Sequence, residues 1–155
     1  MATVQVDGIE GLKALQGKTI GPSEWREVTQ EDINTFADLT NDHQWIHVDT
    51  ERAKTESPFG TTVAHGNLTL SLIDGMRLEL LDSTGFKLGV NYGWNRVRFP
   101  APVPAGSRVR ITSEITEVEE VGAGWWQVVT RFTVELEGSD KPACVADSVG
   151  RALPE

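Results

Sequence analysis

Apolar residues follow helical spacing in the first half of the chain and strict alternation in the second half. The first clear helical pattern comes after Thr29, whose hydroxyl can cap free backbone amides, with Asp32 three positions further on. Ile33 and Phe36 then continue at helical spacing. The pattern predicts a helix that ends near Asn41, because the periodicity is lost beyond that residue.

Two shorter helices are predicted on either side of this one. Asp7 and Glu10 resemble a capping box before a short helix that Gly17 would end, and residues 50–54 suggest one further helical turn. The apolar face of the first of these helices consists of Ile9, Leu12 and Leu15.

Residues 65–81 form the most hydrophobic helical segment. Its apolar residues cover most sides of a helix, which is typical of a buried helix. They are Leu68, Leu70, Leu72, Ile73, Met76, Leu78, Leu80 and Leu81.

Long strands are predicted in the second half of the chain. Alternation from Leu88 to Trp94 changes parity at Val97 and Phe99, which predicts a bulge near residues 93–95. Further alternating segments follow at 109–115, 126–136 and 143–152, and one face of the last consists of small residues. The predicted fold class is α+β, a long antiparallel sheet wrapped around a central buried helix.

Length and composition favour an ordinary soluble domain. The chain has 155 residues, which suits one domain spanning 1–155, and 39% of its residues are hydrophobic. Cys144 is the one cysteine, so no internal disulfide is possible and a reducing compartment is expected. No membrane span or secretory signal is recognised, and we expect a cytoplasmic protein without a membrane partner.

The net charge of -9 argues against a nucleic-acid partner. The charge is unevenly distributed, because no acidic residue lies between Asp82 and Glu114. This stretch is either a solvated strand face or a site for an anionic ligand such as phosphate, to which arginine binds well. Its basic residues are Lys87, Arg96, Arg98, Arg108 and Arg110.

The three histidines, His43, His47 and His65, lie in one stretch together with Asp42 and Asp49. One hypothesis is a metal site using His43 and His47, four residues apart, with Asp42 or Asp49 as a carboxylate ligand. The segment lacks a sustained helical pattern, so we predict no metal. The alternative is general acid–base chemistry by Asp42 and His47, which could converge on one water if the helix ends between them.

Gly66 follows His65 at the start of the predicted buried helix, where unpaired amides favour negative charge. A glycine here is explained either by tight helix packing or by close approach of a ligand. Together with the Asp/His pair, this arrangement makes an oxyanion site plausible.

These segments resemble the signature of the MaoC-like (R)-specific enoyl-CoA hydratases, which have the hotdog fold, and in particular their nodulation-protein-N-like subgroup. The resemblance covers the chain from about Trp25 to its end. The matching residues are 39–47, Ala53, 59–66, 97–103 and Gly106. The sequence departs from the family pattern at Asn41, Gln44 and Trp45, where Gly, Asn and Pro are usual.

The resemblance implies that Asp42 and His47 activate a water for addition to a trans-2-enoyl-CoA, giving an (R)-3-hydroxyacyl-CoA, with Asp42 favoured as the base. The Gly66 amide would polarise the thioester carbonyl, with His65 and Gln44 also in the oxyanion or substrate site. Lys87, Arg96, Arg98 and Arg108 are the candidate contacts for the phosphates of coenzyme A, which is part of the substrate rather than a cofactor.

Two other functions remain open, a hotdog acyl-CoA thioesterase and an acyl-thioester-binding module without catalysis. Retention of both Asp42 and His47 favours the hydratase. A single hotdog unit leaves a sheet edge open, and the resemblance implies a homodimer with a continuous sheet.

Overall fold

The computed structural model describes residues 2–155 of the chain. Five helices occur within these residues: α1 (Gly8–Leu15), α2 (Gln30–Thr40), α3 (Trp45–Val48), α4 (Thr50–Glu56) and α5 (Gly66–Leu80). The strands are β1 (Val4–Asp7), β2 (Thr19–Ile20), β3 (Arg26–Glu27), β4 (Leu81–Thr84), β5 (Phe86–Arg98), β6 (Arg108–Gly122), β7 (Trp125–Leu136) and β8 (Cys144–Pro154).

The main sheet is antiparallel and has the strand order β2-β6-β7-β8-β5, with β3 also paired to β6. The predicted α+β architecture is confirmed, and so is the predicted bulge, since the register of β5 against β8 shifts between Asn91 and Gly93 and again between Trp94 and Arg96. These shifts change which face of the strand each side chain occupies, and this explains the change of parity in the sequence.

The helix α5 packs on the sheet and forms the centre of the hydrophobic core. Ile73, Met76 and Leu80 are almost fully buried there, together with Ala146 and Cys144 of β8. The predicted small face of β8 therefore lets the helix approach the sheet closely at this end.

The expectation that α5 is buried on nearly all sides is wrong for this chain. Asp74, Gly75, Arg77 and Glu79 are exposed, and so is 70% of Leu78. The exposed residues form a second face that turns away from the sheet, and apolar composition alone did not distinguish it from the buried one.

The N-terminal segment holds the far end of α5. β1 pairs in parallel with β4, which directly follows α5, and the Thr3 hydroxyl donates to the Glu79 carbonyl oxygen. The predicted Asp7–Glu10 capping box does not form. Asp7 instead accepts a hydrogen bond from Thr84, because the β1–β4 pairing brings these two residues together.

Candidate active site

Asp42 is positioned by the end of α2. The Thr29 hydroxyl caps this helix in a reciprocal arrangement with Asp32, as the sequence predicts. At the other end Asn41 adopts the left-handed conformation, with φ 57°, and the Asp42 amide donates to the Ala37 carbonyl oxygen at 3.1 Å. The exposed Asp42 carboxylate therefore stands just beyond a defined helix terminus.

Gln44 acts on Asp42 through its backbone. Its amide donates to Asp42 Oδ1 at 3.4 Å, while the residue itself is exposed at the start of α3. The structure thus gives Gln44 a contact to the carboxylate, and a substrate contact by its side chain remains a prediction.

His47 lies on the short helix α3 and is 7% exposed. Gln30 links this helix to α2, since its side-chain amide donates to the His47 carbonyl oxygen at 2.8 Å and accepts from Thr62. His47 Nδ1 lies 2.7 Å from the Val63 carbonyl oxygen. A carbonyl can only accept, so Nδ1 carries a proton, and in the neutral ring Nε2 keeps a free lone pair.

His65 lies behind Asp42 and against His47. The two imidazole rings stack with centroids 3.8 Å apart and planes inclined at 22°, and Phe36 contacts His65 from another side. His65 Nε2 lies 3.0 Å from the Asp42 carbonyl oxygen, while its buried Nδ1 has no partner within residues 2–155. His65 therefore fixes the backbone of Asp42 and the ring plane of His47 at once.

Asp42, His47 and His65 form a compact triplet in which one donor atom from each lies within 4.8 Å of the others. The spacing would suit a metal ion, but the stacked rings do not, because nearly parallel imidazoles cannot both direct in-plane lone pairs at one ion. The other two residues considered for a metal site, His43 and Asp49, lie outside the triplet. His43 is exposed and bonds to Asp38, and Asp49 caps α4.

Gly66 is the first residue of α5, and its amide makes no hydrogen bond within the part of the chain that the structure describes. The amide is therefore available to a ligand at the positive end of a 15-residue helix. The absence of a side chain has a packing reason, since a Cβ on Gly66 would lie 2.9 Å from the ring of Phe99.

The four basic residues proposed for phosphate binding do not form one surface. Arg108 is paired with Glu137, which directly follows the neighbouring strand β7, and this pairing raises the pKa of the arginine and lowers that of the glutamate. Lys87 and Arg98 lie at opposite ends of β5, about 36 Å apart for an extended strand. Arg96 and Arg98 lie towards the Gly66 end of β5, and Arg108 lies at the same end of the sheet but on β6, with β7 and β8 between.

The stretch between Asp82 and Glu114 contains no acidic residue, but acidic residues from elsewhere in the chain lie beside it in the folded protein. Antiparallel pairing places Glu135 beside Arg110 and Glu137 near Arg108, although each pair is separated by more than twenty residues in the chain. Local charge counting could not anticipate these partners.

Comparison with known proteins now identifies the family. The sequence profile of the MaoC like domain matches residues 12–135. The chain belongs to the MaoC-like domain family. A 3-hydroxyacyl-thioester dehydratase Z of Mycobacterium tuberculosis is 53% identical over 145 residues, covering 94% of this chain and 95% of that protein. Nodulation protein N of Rhizobium leguminosarum bv. viciae is 46% identical over 132 residues, covering 84% and 82%.

Solved structures of MaoC-like hotdog proteins confirm the fold. A monoamine oxidase regulatory protein from Archaeoglobus fulgidus has a TM-score of 0.80 at 26% identity, with 100% of this chain and 99% of that chain covered. An (R)-hydratase from A. caviae has a TM-score of 0.67 at 24% identity, covering 90% and 96%, and supports the hotdog fold alone. The MaoC-like family and the hotdog fold that the sequence predicts are both confirmed.

Three features of this MaoC-like site could not be found by sequence reasoning. They are the Val63 carbonyl that sets the His47 tautomer, the stack of His47 on His65, and the contact of Phe99 with Gly66. Val63 and Phe99 do lie within the matched segments, but no residue pattern indicates their contacts. Among residues 2–155, no helix is long and apolar enough to cross a membrane.

Proposed function

We propose that the protein is a hydratase that reversibly adds water to a trans-2-enoyl-CoA and gives an (R)-3-hydroxyacyl-CoA. Membership of the MaoC-like family, with a dehydratase among its relatives, supports a hydro-lyase. The observation that carries the finer proposal is the grouping of Asp42, His47 and His65 beside the start of α5, where the Gly66 amide has no partner. Coenzyme A enters as part of the substrate, and no cofactor is needed.

The geometry supports separate roles for Asp42 and His47 in binding and activating one water molecule. His47 Nε2 and the Asp42 carboxylate can each accept a hydrogen bond from that water, which leaves an oxygen lone pair for the β-carbon of the enoyl group. As the carbon–oxygen bond forms, electrons move onto the thioester oxygen, which the Gly66 amide stabilises. We assign Asp42 as the base that takes the water proton, which is then returned to the α-carbon, so the overall reaction adds only water.

Arg96 and Arg98 remain the candidate phosphate contacts. They lie at the end of β5 that precedes Phe99, whose ring lies close to Gly66, so an anionic group bound there would lie near the start of α5. Arg108 is a weaker candidate because Glu137 already occupies its guanidinium.

We further propose that two copies of the chain pair through β5. This strand is the outermost of the main sheet, and Leu88, Val90 and Tyr92 on it are 41–64% exposed. An open apolar edge strand is a template for pairing, and a second copy provides a complementary partner.

The decisive experiment uses purified protein and crotonyl-CoA, with loss of the enoyl absorbance and release of free thiol recorded separately. A hydratase removes the absorbance without releasing thiol. Thiol release would indicate the thioesterase, and binding without either change would indicate the acyl-thioester-binding module.

The proposed residues are tested by Asp42→Asn and His47→Gln, each of which should lower kcat by at least about 100-fold because proton transfer is lost. Asp38→Asn and His43→Gln are matched controls, since this exposed pair carries the same chemistry outside the triplet. Circular dichroism should show that all four variants fold. Unchanged turnover in Asp42→Asn or His47→Gln would refute the assignment.

A further inference from the structure

The helix α3, which carries His47, has only four residues and is not stable by its own local structure. Its N-cap residue, Gln44, makes no hydrogen bond with its side chain to cap the helix. Trp45 occupies the first helical position, where a proline would fix the backbone in advance. The direction of α3 is therefore determined by its bonds to the rest of the protein.

Two other parts of the chain supply these bonds. The Val63 amide donates to the Ile46 carbonyl oxygen at 3.0 Å, and the Val63 carbonyl oxygen lies 2.7 Å from His47 Nδ1. From α2, Gln30 Nε2 donates to the His47 carbonyl oxygen at 2.8 Å. His47 is thus held through its ring by one partner and through its backbone by another.

The segment 62–64 is a firm support for α3. Thr62, Val63 and Ala64 are between 1% and 8% exposed. The Ala105 amide donates to the Thr62 carbonyl oxygen at 3.0 Å, and the Ala64 amide donates to the Val103 carbonyl oxygen at 2.8 Å. The segment is therefore fixed to the buried chain that precedes β6.

Gln30 and Thr62 connect this support to α2. The Thr62 hydroxyl donates to Gln30 Oε1, while the nitrogen of the same amide group holds His47. This orientation of the amide is the one the partners require, because a carbonyl oxygen can only accept. Since Thr62 is 1% exposed, water cannot readily replace its bond to Gln30.

We propose that Gln30 and Thr62 are a pair of positioning residues, which hold α3 so that His47 Nε2 meets the reacting water. The inference rests on the proposed function, since only a hydratase needs His47 to orient a water molecule. Both residues act through His47 and neither takes part in the proton transfer. Without them α3 is attached through Val63 alone, and the ring of His47 loses its fixed direction.

Thr62→Val tests the proposal, because it replaces the hydroxyl with a methyl group of similar size. For crotonyl-CoA, kcat should fall by about tenfold or more, since displacement of a reacting group by about 1 Å can cost about 100-fold in rate. KM should stay the same, because loss of an interaction made only in the transition state lowers kcat and kcat/KM equally. Thr62→Ser keeps the hydroxyl and should recover most of the lost turnover.

Gln30→Leu removes the other half of the pair, and provides the test even if Thr62→Val does not fold, because Gln30 is only half-buried. The double variant should be no slower than Gln30→Leu, since the two residues act as one unit. Asn34→Ala is the matched control. Asn34 accepts the second amide hydrogen of Gln30 at the exposed side of α2, and its loss should leave kcat unchanged.

Nitrogen NMR of the imidazole rings provides a readout that needs no catalysis, because it distinguishes a proton on Nδ1 from one on Nε2. In wild-type protein His47 should carry its proton on Nδ1 alone, and its signals are those that disappear in His47→Gln. In Thr62→Val and Gln30→Leu both tautomers should be present, since the bond from Nδ1 to Val63 is no longer enforced. A loss of stability without movement of α3 would leave the tautomer unchanged.

The outcomes separate this inference from the proposed function. If wild-type protein hydrates crotonyl-CoA but neither Thr62→Val nor Gln30→Leu lowers kcat, the positioning pair is wrong and the hydratase stands. If no enoyl-CoA is hydrated but both variants still mix the tautomers, the hydratase is wrong and the hold on His47 stands. A lower kcat with an unchanged His47 tautomer would overturn the positioning pair, and so would equal losses in Thr62→Val and Thr62→Ser.

Discussion

The residues of the candidate site differ in how firmly they are held. Asp42 is exposed and can meet a substrate, whereas His47 and His65 are buried and restrict each other by stacking. The proton on His47 Nδ1 is committed to Val63, so the opposite nitrogen is already oriented before substrate arrives. Such preorganisation lowers the cost of arranging the reacting water.

The thiol of Cys144 should be unreactive in the folded protein. Burial raises the pKa of its thiol from 9.0 to about 11, so almost no thiolate is present at neutral pH. Labelling by a thiol-specific disulfide reagent at pH 8 should be slow in buffer and rapid in urea. Rapid labelling of the folded protein would show that the thiol is accessible.

The same shift has a consequence for stability. Between pH 9 and 11 the thiol ionises in the unfolded chain but not in the folded one, so the free energy of unfolding should decrease as pH rises. Urea titrations should show that wild-type protein loses roughly 2–3 kcal/mol relative to Cys144→Ala over this range. An identical pH dependence for the two proteins would contradict the buried, neutral thiol.

At the scale of elements, the end of α2 determines where Asp42 stands. Asn41 occupies a left-handed conformation at φ 57°, which glycine adopts without strain and alanine does not. Asn41→Ala should destabilise the protein by about 1 kcal/mol and lower crotonyl-CoA hydration, whereas Asn41→Gly should retain activity. Urea unfolding and initial rates measure the two effects. Equal behaviour of the two variants would mean that this conformation is not needed.

The elements that sequence predicts well are those set by local rules. The cap at Thr29, the end of α2 at Asn41 and the bulge in β5 follow from residues close together in the chain. The predictions that failed involve residues whose partners are distant in the sequence. Asp7 accepts a hydrogen bond from Thr84, and Arg108 donates to Glu137. The candidate site shows the same division: a motif indicates Asp42 and His47, whereas the stack on His65 and the contact of Phe99 need the folded chain.

At the scale of the whole molecule, the open edge of β5 should determine the state of assembly. Leu88→Lys places a charge on this edge, where it should oppose pairing and give a monomer by light scattering. Leu39→Lys is a matched control, since Leu39 is 83% exposed on α2 and its replacement should leave a dimer. A monomeric wild-type protein would overturn the proposed pairing.

The pairing of β1 with β4 has a consequence for the order in which parts of the protein fold and open. It joins residues 77 positions apart, as the bond between Thr84 and Asp7 illustrates, and it forms a two-stranded sheet of its own. Contacts that close long loops form late, and small exposed units of this kind open at a lower free energy than the core. We therefore expect the β1–β4 pair to open and close while the Asp42–His47 end stays intact. Hydrogen exchange at the amides of β1 should therefore be faster than at those of α5.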